Sequence, residues 1–156
     1  MLIETVEAET RPMLYITRAT GMDPQEIAVT MADAFNAMGA FLGQSGVRPV
    51  GPPLAVYRDW DRKTGRMKID VGFPVIPSDT IKASGEVHAG QTPSGKALKA
   101  VHHGPYPKLR ETYAAIEAHM EKAGLPMPPL AWEIYLSDPD TTPAEQLLTE
   151  VYMAVA

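Results

Sequence analysis

The stretch Leu130-Ala-Trp-Glu-Ile-Tyr-Leu-Ser-Asp-Pro139, with its return Leu147-Leu-Thr-Glu-Val-Tyr-Met-Ala-Val155, decides how the chain is read. Both runs are rich in β-branched and aromatic residues, and the linker between them carries Asp138, Asp140 and Pro143. That pattern predicts a hairpin with a long polar loop. Alternation puts Trp132, Ile134 and Leu136 on one face of the first strand and Glu133 and Tyr135 on the other. On the return strand Leu147, Thr149, Val151, Met153 and Val155 alternate with Leu148, Glu150 and Tyr152. A register that sets Leu136 near Leu147 gathers Glu133, Tyr135, Glu150 and Tyr152 on one sheet face. A slip of one residue would part them.

The same pattern occurs earlier in the chain. Met67-Lys-Ile-Asp-Val-Gly-Phe-Pro-Val75 lines up with 147–155 at a constant offset of 80, and Tyr57 corresponds to Tyr135. Strands are predicted over 2–8, 12–19, 54–58, 66–75 and 96–103, with a short one around Val87 in an otherwise polar bridge. One helix is predicted from Asp23 and Pro24, where Asp23 caps, Glu26 completes a capping box, and Ile27, Met31, Phe35, Met38 and Leu42 form the buried stripe. Gly43 and Gly46 are expected to end it. A second helix begins with Pro107 at its first position, has the stripe Leu109, Tyr113, Ile116 and Met120, and closes at Gly124. Tyr113 reads as core.

Strand, helix, strand, strand thus occurs twice, which predicts one α+β domain over residues 1–156 with pseudo-repeats of about 1–76 and 77–156. Both helices are expected to cover one side of an antiparallel sheet. The other side would be a concave face bearing Ala55, Tyr57, Lys68, Asp70 and Gly72 from the first half, and Glu133, Tyr135, Leu148, Glu150 and Tyr152 from the second.

Composition narrows the function classes. The 156 residues are 45% hydrophobic with a net charge of −5, enough for a sizeable core and the wrong sign for a nucleic-acid surface. No cysteine is present, so disulfides, thiolate metal sites and cysteine nucleophiles are excluded. The N-terminus has no charged-then-apolar leader pattern and no 18-residue apolar run exists, so a cytoplasmic protein is expected. His102 and His103 point to opposite faces of one strand, and His88 and His119 sit in other elements. No metal site is expected. No phosphate loop or nucleophile elbow is found.

Val101-His-His-Gly-Pro-Tyr106, Val71-Gly-Phe-Pro-Val75, Trp132-Glu-Ile-Tyr135, Asp138-Pro139, Thr142-Pro-Ala-Glu145 and Leu148–Val155 span nearly the whole chain. In that order they resemble the GyrI-like small-molecule-binding domain, found also as the effector-binding domain of AraC- and MerR-type multidrug regulators. The terminal strand departs from that family in having Ala154 where proline is usual. The resemblance implies a duplicated βαββ fold with an aromatic-lined ligand pocket between the repeats and Glu133 at its base. In drug-sensing relatives this carboxylate meets lipophilic cations. Aromatic faces attract diffuse cations, and a desolvated carboxylate adds charge selectivity. Tyr57, Tyr106, Tyr135 and Tyr152 are the candidate walls, with Tyr15 and Trp132 beside them.

The chain leaves no room for a DNA-reading module, so a stand-alone binder of amphipathic, cationic or aromatic compounds is expected, sequestering or sensing them without a cofactor. Two other readings stay open. By resemblance to family members that hydrolyse cyclopropane-bearing electrophiles, Glu133 would activate water with Glu150 or Tyr152 as its partner, although a solvated strand position is the simpler reading of Glu150. By resemblance to gyrase-inhibiting relatives, the domain would bind a protein partner.

Overall fold

The computed structural model describes residues 1–155. Among them are eight strands and two α-helices: β1 (Glu4–Ala8), β2 (Pro12–Thr20), α1 (Pro24–Ser45), β3 (Leu54–Asp61), β4 (Arg66–Pro74), β5 (His88–Gln91), β6 (Gly95–His103), α2 (Leu109–Lys122), β7 (Leu130–Tyr135) and β8 (Leu148–Ala154). The fold is α+β, with antiparallel strand pairing. The chain divides into two compact units, one spanning Thr10–Pro93 and the other built from Met1–Glu9 and the chain from Ser94 onward. Among the described residues no helix is long and apolar enough to cross a membrane.

Each unit is a four-stranded sheet with one helix, ordered β3-β4-β2-β5 in the first and β1-β6-β8-β7 in the second. Within the units β1 pairs with β6, and β5 pairs with β2. Charge favours this partner for β1, because Glu4 lies opposite Lys99 and Glu7 opposite Lys96. The duplication reaches the register. Tyr57 faces Ile69 as Tyr135 faces Thr149, and Leu14 faces Phe73 as Leu98 faces Met153.

The helix at Pro24 forms for the reasons its sequence gives. The Asp23 carboxylate accepts the Glu26 amide at 3.1 Å, and Gly46 takes the left-handed cap while its amide reaches the Leu42 carbonyl. Two details differ from expectation. The helix runs through Gly43, which lies on an exposed face and meets no obstacle, and the Glu26 side chain pairs with Arg66 at 2.9 Å instead of closing a capping box. The stripe of α1 packs on β2, where Leu14, Ile16, Met38, Val47, Val75 and Val87 form a buried cluster with Phe41, Leu42 and Phe73 against it. In the second unit Pro107 falls in a 3₁₀ turn, Tyr106–Lys108, and α2 proper starts at Leu109.

The expected register of the decisive hairpin is off by one residue. Glu133 lies opposite Val151, Ile134 opposite Glu150 and Trp132 opposite Tyr152. Glu133 and Tyr135 therefore share a face with Thr149, Val151 and Met153, while Glu150, Leu148 and Tyr152 look the other way. Turn chemistry causes the shift. The Leu136 amide bonds the Leu148 carbonyl, and the Ser137 hydroxyl accepts the Leu148 amide, so the loop closes on Leu148. The first unit has the same arrangement, with Ala55 and Tyr57 on the face of Ile69 and Val71, opposite to Lys68, Asp70 and Gly72.

Gly72 and Gly39 give opposite predictions for one added methyl. A Cβ on Gly72 would stand 2.1 Å from the Leu14 carbonyl oxygen and 2.8 Å from Tyr15 Cα, backbone that cannot swing aside. A Cβ on Gly39, mid-helix and exposed, meets nothing within 4 Å. Urea unfolding of Gly72→Ala is expected to show a loss of about 3 kcal/mol from overpacking, whereas Gly39→Ala gains roughly 0.5–1 kcal/mol from helix propensity.

Candidate functional site

On β7 the alternation buries Trp132 on one face and Glu133 on the other, and Glu133 is the residue that demands an account. It is 3% exposed, on the face against which α2 lies. A carboxylate at that depth is costly unless donors meet it. Tyr113, on α2, donates its hydroxyl to Glu133 Oε2 at 2.5 Å, and Tyr135, two residues along β7, donates to Oε1 at 2.6 Å. Hydrogen bonds of this length to an ionised acceptor are the strong kind. The Tyr106 ring stands edge-on to Tyr135, with centroids 5.8 Å apart and planes at 75°. Burial, then the nearby charges of Glu133 and Asp138, hold the Tyr106 phenol above its ordinary range.

The turn that delivers Tyr106 is fixed from inside the fold. Gly104 has φ 121°, a conformation open to glycine alone at little cost, and its amide bonds the Leu147 carbonyl at 2.9 Å. Buried His102 lies within 3.0 Å of the Pro105 carbonyl through Nε2 and 2.8 Å of the Thr112 hydroxyl through Nδ1. A carbonyl only accepts, so Nε2 carries the proton. His102 thereby ties β6, the Gly104–Pro105 turn and α2 together, a positioning role that metal-oriented reading of the histidines missed. His103 is exposed.

The remaining sequence candidates form a second group on the opposite face. Trp132 and Tyr152 stack with centroids 4.9 Å apart and planes 3° from parallel. The Tyr152 hydroxyl donates to Glu150 at 2.9 Å, Glu150 pairs with Lys99 at 3.0 Å, and the ammonium of Lys99 sits 5.8 Å from the Tyr152 ring centre. Burial, followed by Glu150, keeps the Tyr152 phenol protonated well above its ordinary range. Glu150 and Tyr152 cannot serve as partners of Glu133 from that face; Tyr113 and Tyr135 take that place. In the other unit Tyr15 lies against His88, with ring centroids 5.7 Å apart, and Tyr57 is half-buried on the opposite face of its sheet.

The apolar stripe of α2 reads Tyr113 as core. Its one distinguishing signal is chemical: alone among Leu109, Tyr113, Ile116 and Met120 it carries a donor at its tip. An open groove of about 650 Å³ in the same unit runs past the His102–Thr112 pair, beside Met1, Leu2, Lys99 and Lys108. Its charged walls carry both signs, Glu4 and Glu111 with Lys99 and Lys108, so it favours no ligand charge. Among the described residues no cluster of three or more His, Cys, Asp or Glu is placed to hold a metal ion.

Comparison with known proteins agrees with this architecture. No curated protein gives a significant sequence match. Among solved structures, the C-terminal domain of EcmrR superposes with a TM-score of 0.82 at 17% identity, covering 99% of this chain and 97% of that one. SAV2435 bound to tetraphenylphosphonium matches at 0.69 and 13% identity, over 100% and 94% of the two chains. A hydrolase encoded by lin2189 from Listeria innocua matches at 0.62 and 16% identity, over 99% and 91%. Likeness at such identities speaks for the fold alone. The family model of the GyrI-like small molecule binding domain matches residues 1–156 from end to end, and the chain belongs to that family.

Proposed function

We propose that the protein binds amphipathic cationic or aromatic compounds at Glu133, sequestering or sensing them. The observation that carries this reading is a carboxylate 3% exposed whose two oxygens each accept a tyrosine hydroxyl, with a third tyrosine ring at its edge. The hydroxyls hold the anion where water does not screen it, and the ring faces supply apolar area and a negative quadrupole. A lipophilic cation gains from all three. The binding of tetraphenylphosphonium by the structurally similar SAV2435 supports the same ligand class here.

Hydrolysis is the second reading, favoured by the likeness to the lin2189 hydrolase. Glu133 would then take a proton from water as its oxygen bonds a cyclopropane carbon, and return it to the group that receives the electron pair of the broken ring C–C bond, with Tyr113 or Tyr135 as the neighbouring hydroxyl. Both Glu133 oxygens already accept hydroxyls, an arrangement suited to a fixed anion more than to a base. Binding is therefore the stronger reading.

Titration calorimetry with tetraphenylphosphonium and neutral triphenylphosphine oxide tests the charge argument. Glu133→Gln is expected to weaken the cation by at least about tenfold, ~1.4 kcal/mol, and to leave the neutral compound within roughly twofold. Equal losses for both would reject it. Tyr113→Phe and Tyr135→Phe each remove one hydroxyl from the buried anion, and are expected to lower thermal stability by about 1–3 kcal/mol while the neutral ligand still binds. Incubation with a cyclopropane-bearing electrophile, followed by chromatography, separates enzyme from binder: product formed by the wild type and lost in Glu133→Gln would establish hydrolysis.

A further inference from the structure

Alternation in the sequence starts the first strand at Leu2, but β1 begins at Glu4. The difference leaves part of β6 uncovered. β1 pairs with Gly95–Lys99 alone, while β8 follows β6 as far as His103. Hydrogen bonding shows which backbone groups are left over. Lys96 accepts the Val155 amide, and the Gly104 amide bonds the Leu147 carbonyl, so even-numbered positions along β6 bond toward β8. Odd-numbered positions bond toward β1, and Val101 is the first of them beyond the last pair, Glu4 with Lys99. Among the described residues no backbone group pairs with the amide or carbonyl of Val101 on that side. An uncovered strand edge is a template for another extended segment.

The groove of about 650 Å³ lies on this edge. Ala100, Val101, His102 and His103 line it from β6, and Thr112 lines it from α2. Met1 and Leu2 border the same groove, and their side chains are 69% and 73% exposed. Two large apolar side chains thus stand in water beside an open sheet edge. Continuing the register of β1 sets Ile3 opposite Ala100, Leu2 opposite Val101 and Met1 opposite His102. Residues opposite each other share a face. Met1 and Ile3 would turn toward α2, over the buried His102–Thr112 pair, and Leu2 to the reverse face beside Val101.

We propose that Met1–Ile3 form a strap that closes over this groove by lengthening β1 along β6, and that the open arrangement of this structure exchanges with the closed one. In the closed arrangement Leu2 and Val101 trade both backbone hydrogen bonds. Closure costs the conformational freedom of three residues and returns the burial of Met1 and Ile3. The two quantities are of similar size, so neither arrangement overwhelms the other. With the strap open, β6 offers its edge to any extended chain; with the strap closed, the protein's own strand occupies that edge. The strap is an autoinhibitory contact at the sheet edge, and it acts whatever Glu133 binds.

The chain has no cysteine, so an engineered pair reports the closed register directly. Hydrogen-bonded antiparallel pairs bring their Cα atoms to about 5.5 Å, within reach of a disulfide. Leu2→Cys with Val101→Cys is expected to form an intrachain disulfide under a mild oxidant. Leu2→Cys with Ala100→Cys, one position off and on the other face, is expected to stay reduced. Hydrogen exchange reads the strap without a crosslink. The Val101 amide of the wild type is expected to exchange about tenfold more slowly than that of Leu2→Asp, and Leu2→Val keeps the protection. Leu2 is exposed when the strap is open, so the aspartate acts on closure alone. No disulfide in the first pair, equal disulfides in both pairs, or a Val101 amide that exchanges alike in wild type and Leu2→Asp overturns the strap.

Discussion

A carboxylate buried between a helix and a sheet makes demands that the rest of the second unit answers. Glu133 needs donors that no water supplies, and the two tyrosine hydroxyls reach it from different elements, Tyr135 from its own strand and Tyr113 from α2. The helix is therefore held to the sheet by a polar contact at a set position, beyond the apolar contacts of Ile116 and Met120. His102 adds a second such tie through Thr112. Buried polar networks of this kind fix one arrangement where apolar packing tolerates several, provided every member is satisfied. Thr149, opposite Tyr135 on β8, is the member whose hydroxyl makes no hydrogen bond among the described residues.

The two repeats separate what the fold needs from what the site needs. In the first unit the centre of the layer under α1 is apolar, with Leu14, Ile16, Met38 and Val75 buried together and Ala55 and Ile69 at the equivalent positions, while Arg18 and Thr20 end the row on β2. In the second, the same backbone carries Glu133, His102 and Thr149 in that layer, all nearly or fully buried. Polar side chains in a core cost stability, and the twin unit carries Ala55 and Ile69 where this one has Glu133 and Thr149; the counterpart of His102 is Arg18, which ties its own strand to α1 through Asp33. Duplication gives a scaffold in which one copy keeps an ordinary core while the other carries chemistry.

The architecture was legible in the sequence because it rests on strong local signals. Asp23-Pro24 starts a helix by capping geometry, alternation marks the strands, and the offset of 80 shows the duplication without any three-dimensional knowledge. The partners of β1 and β5 were hidden, since local pattern does not name a strand's partner; for β1 the charges of Glu4 and Glu7 against Lys99 and Lys96 are the hint. The site was half legible. Glu133, Tyr106 and Tyr135 do come together. Alternation alone sets Glu150 and Tyr152 on the face of Glu133 through a register one residue out, because hydrogen bonds within the loop, invisible in the alternation, set which residues pair. Tyr113 escaped because a stripe records polarity and says nothing of what a hydroxyl meets.

That sensitivity to register explains the reverse face. A shift of one residue between β7 and β8 would carry Glu133 away from α2 and leave it without the Tyr113 hydroxyl, so the pairing has to be specified by more than the polar loop. Trp132, Tyr152, Lys99 and Glu4 lie in one row across β7, β8, β6 and β1, each directly opposite the next. The parallel stack of Trp132 on Tyr152 and the contact of Lys99 with that ring and with Glu150 are possible only in this alignment. Aromatic pairs of this type contribute about 0.5–1.5 kcal/mol beyond the area they bury, and the slipped sheet would lose that together with the Glu133 hydrogen bonds. The Trp132–Tyr152–Lys99 row is then the counterpart of the Glu133 face: it locks the strands so that the acidic side chain emerges beneath the helix.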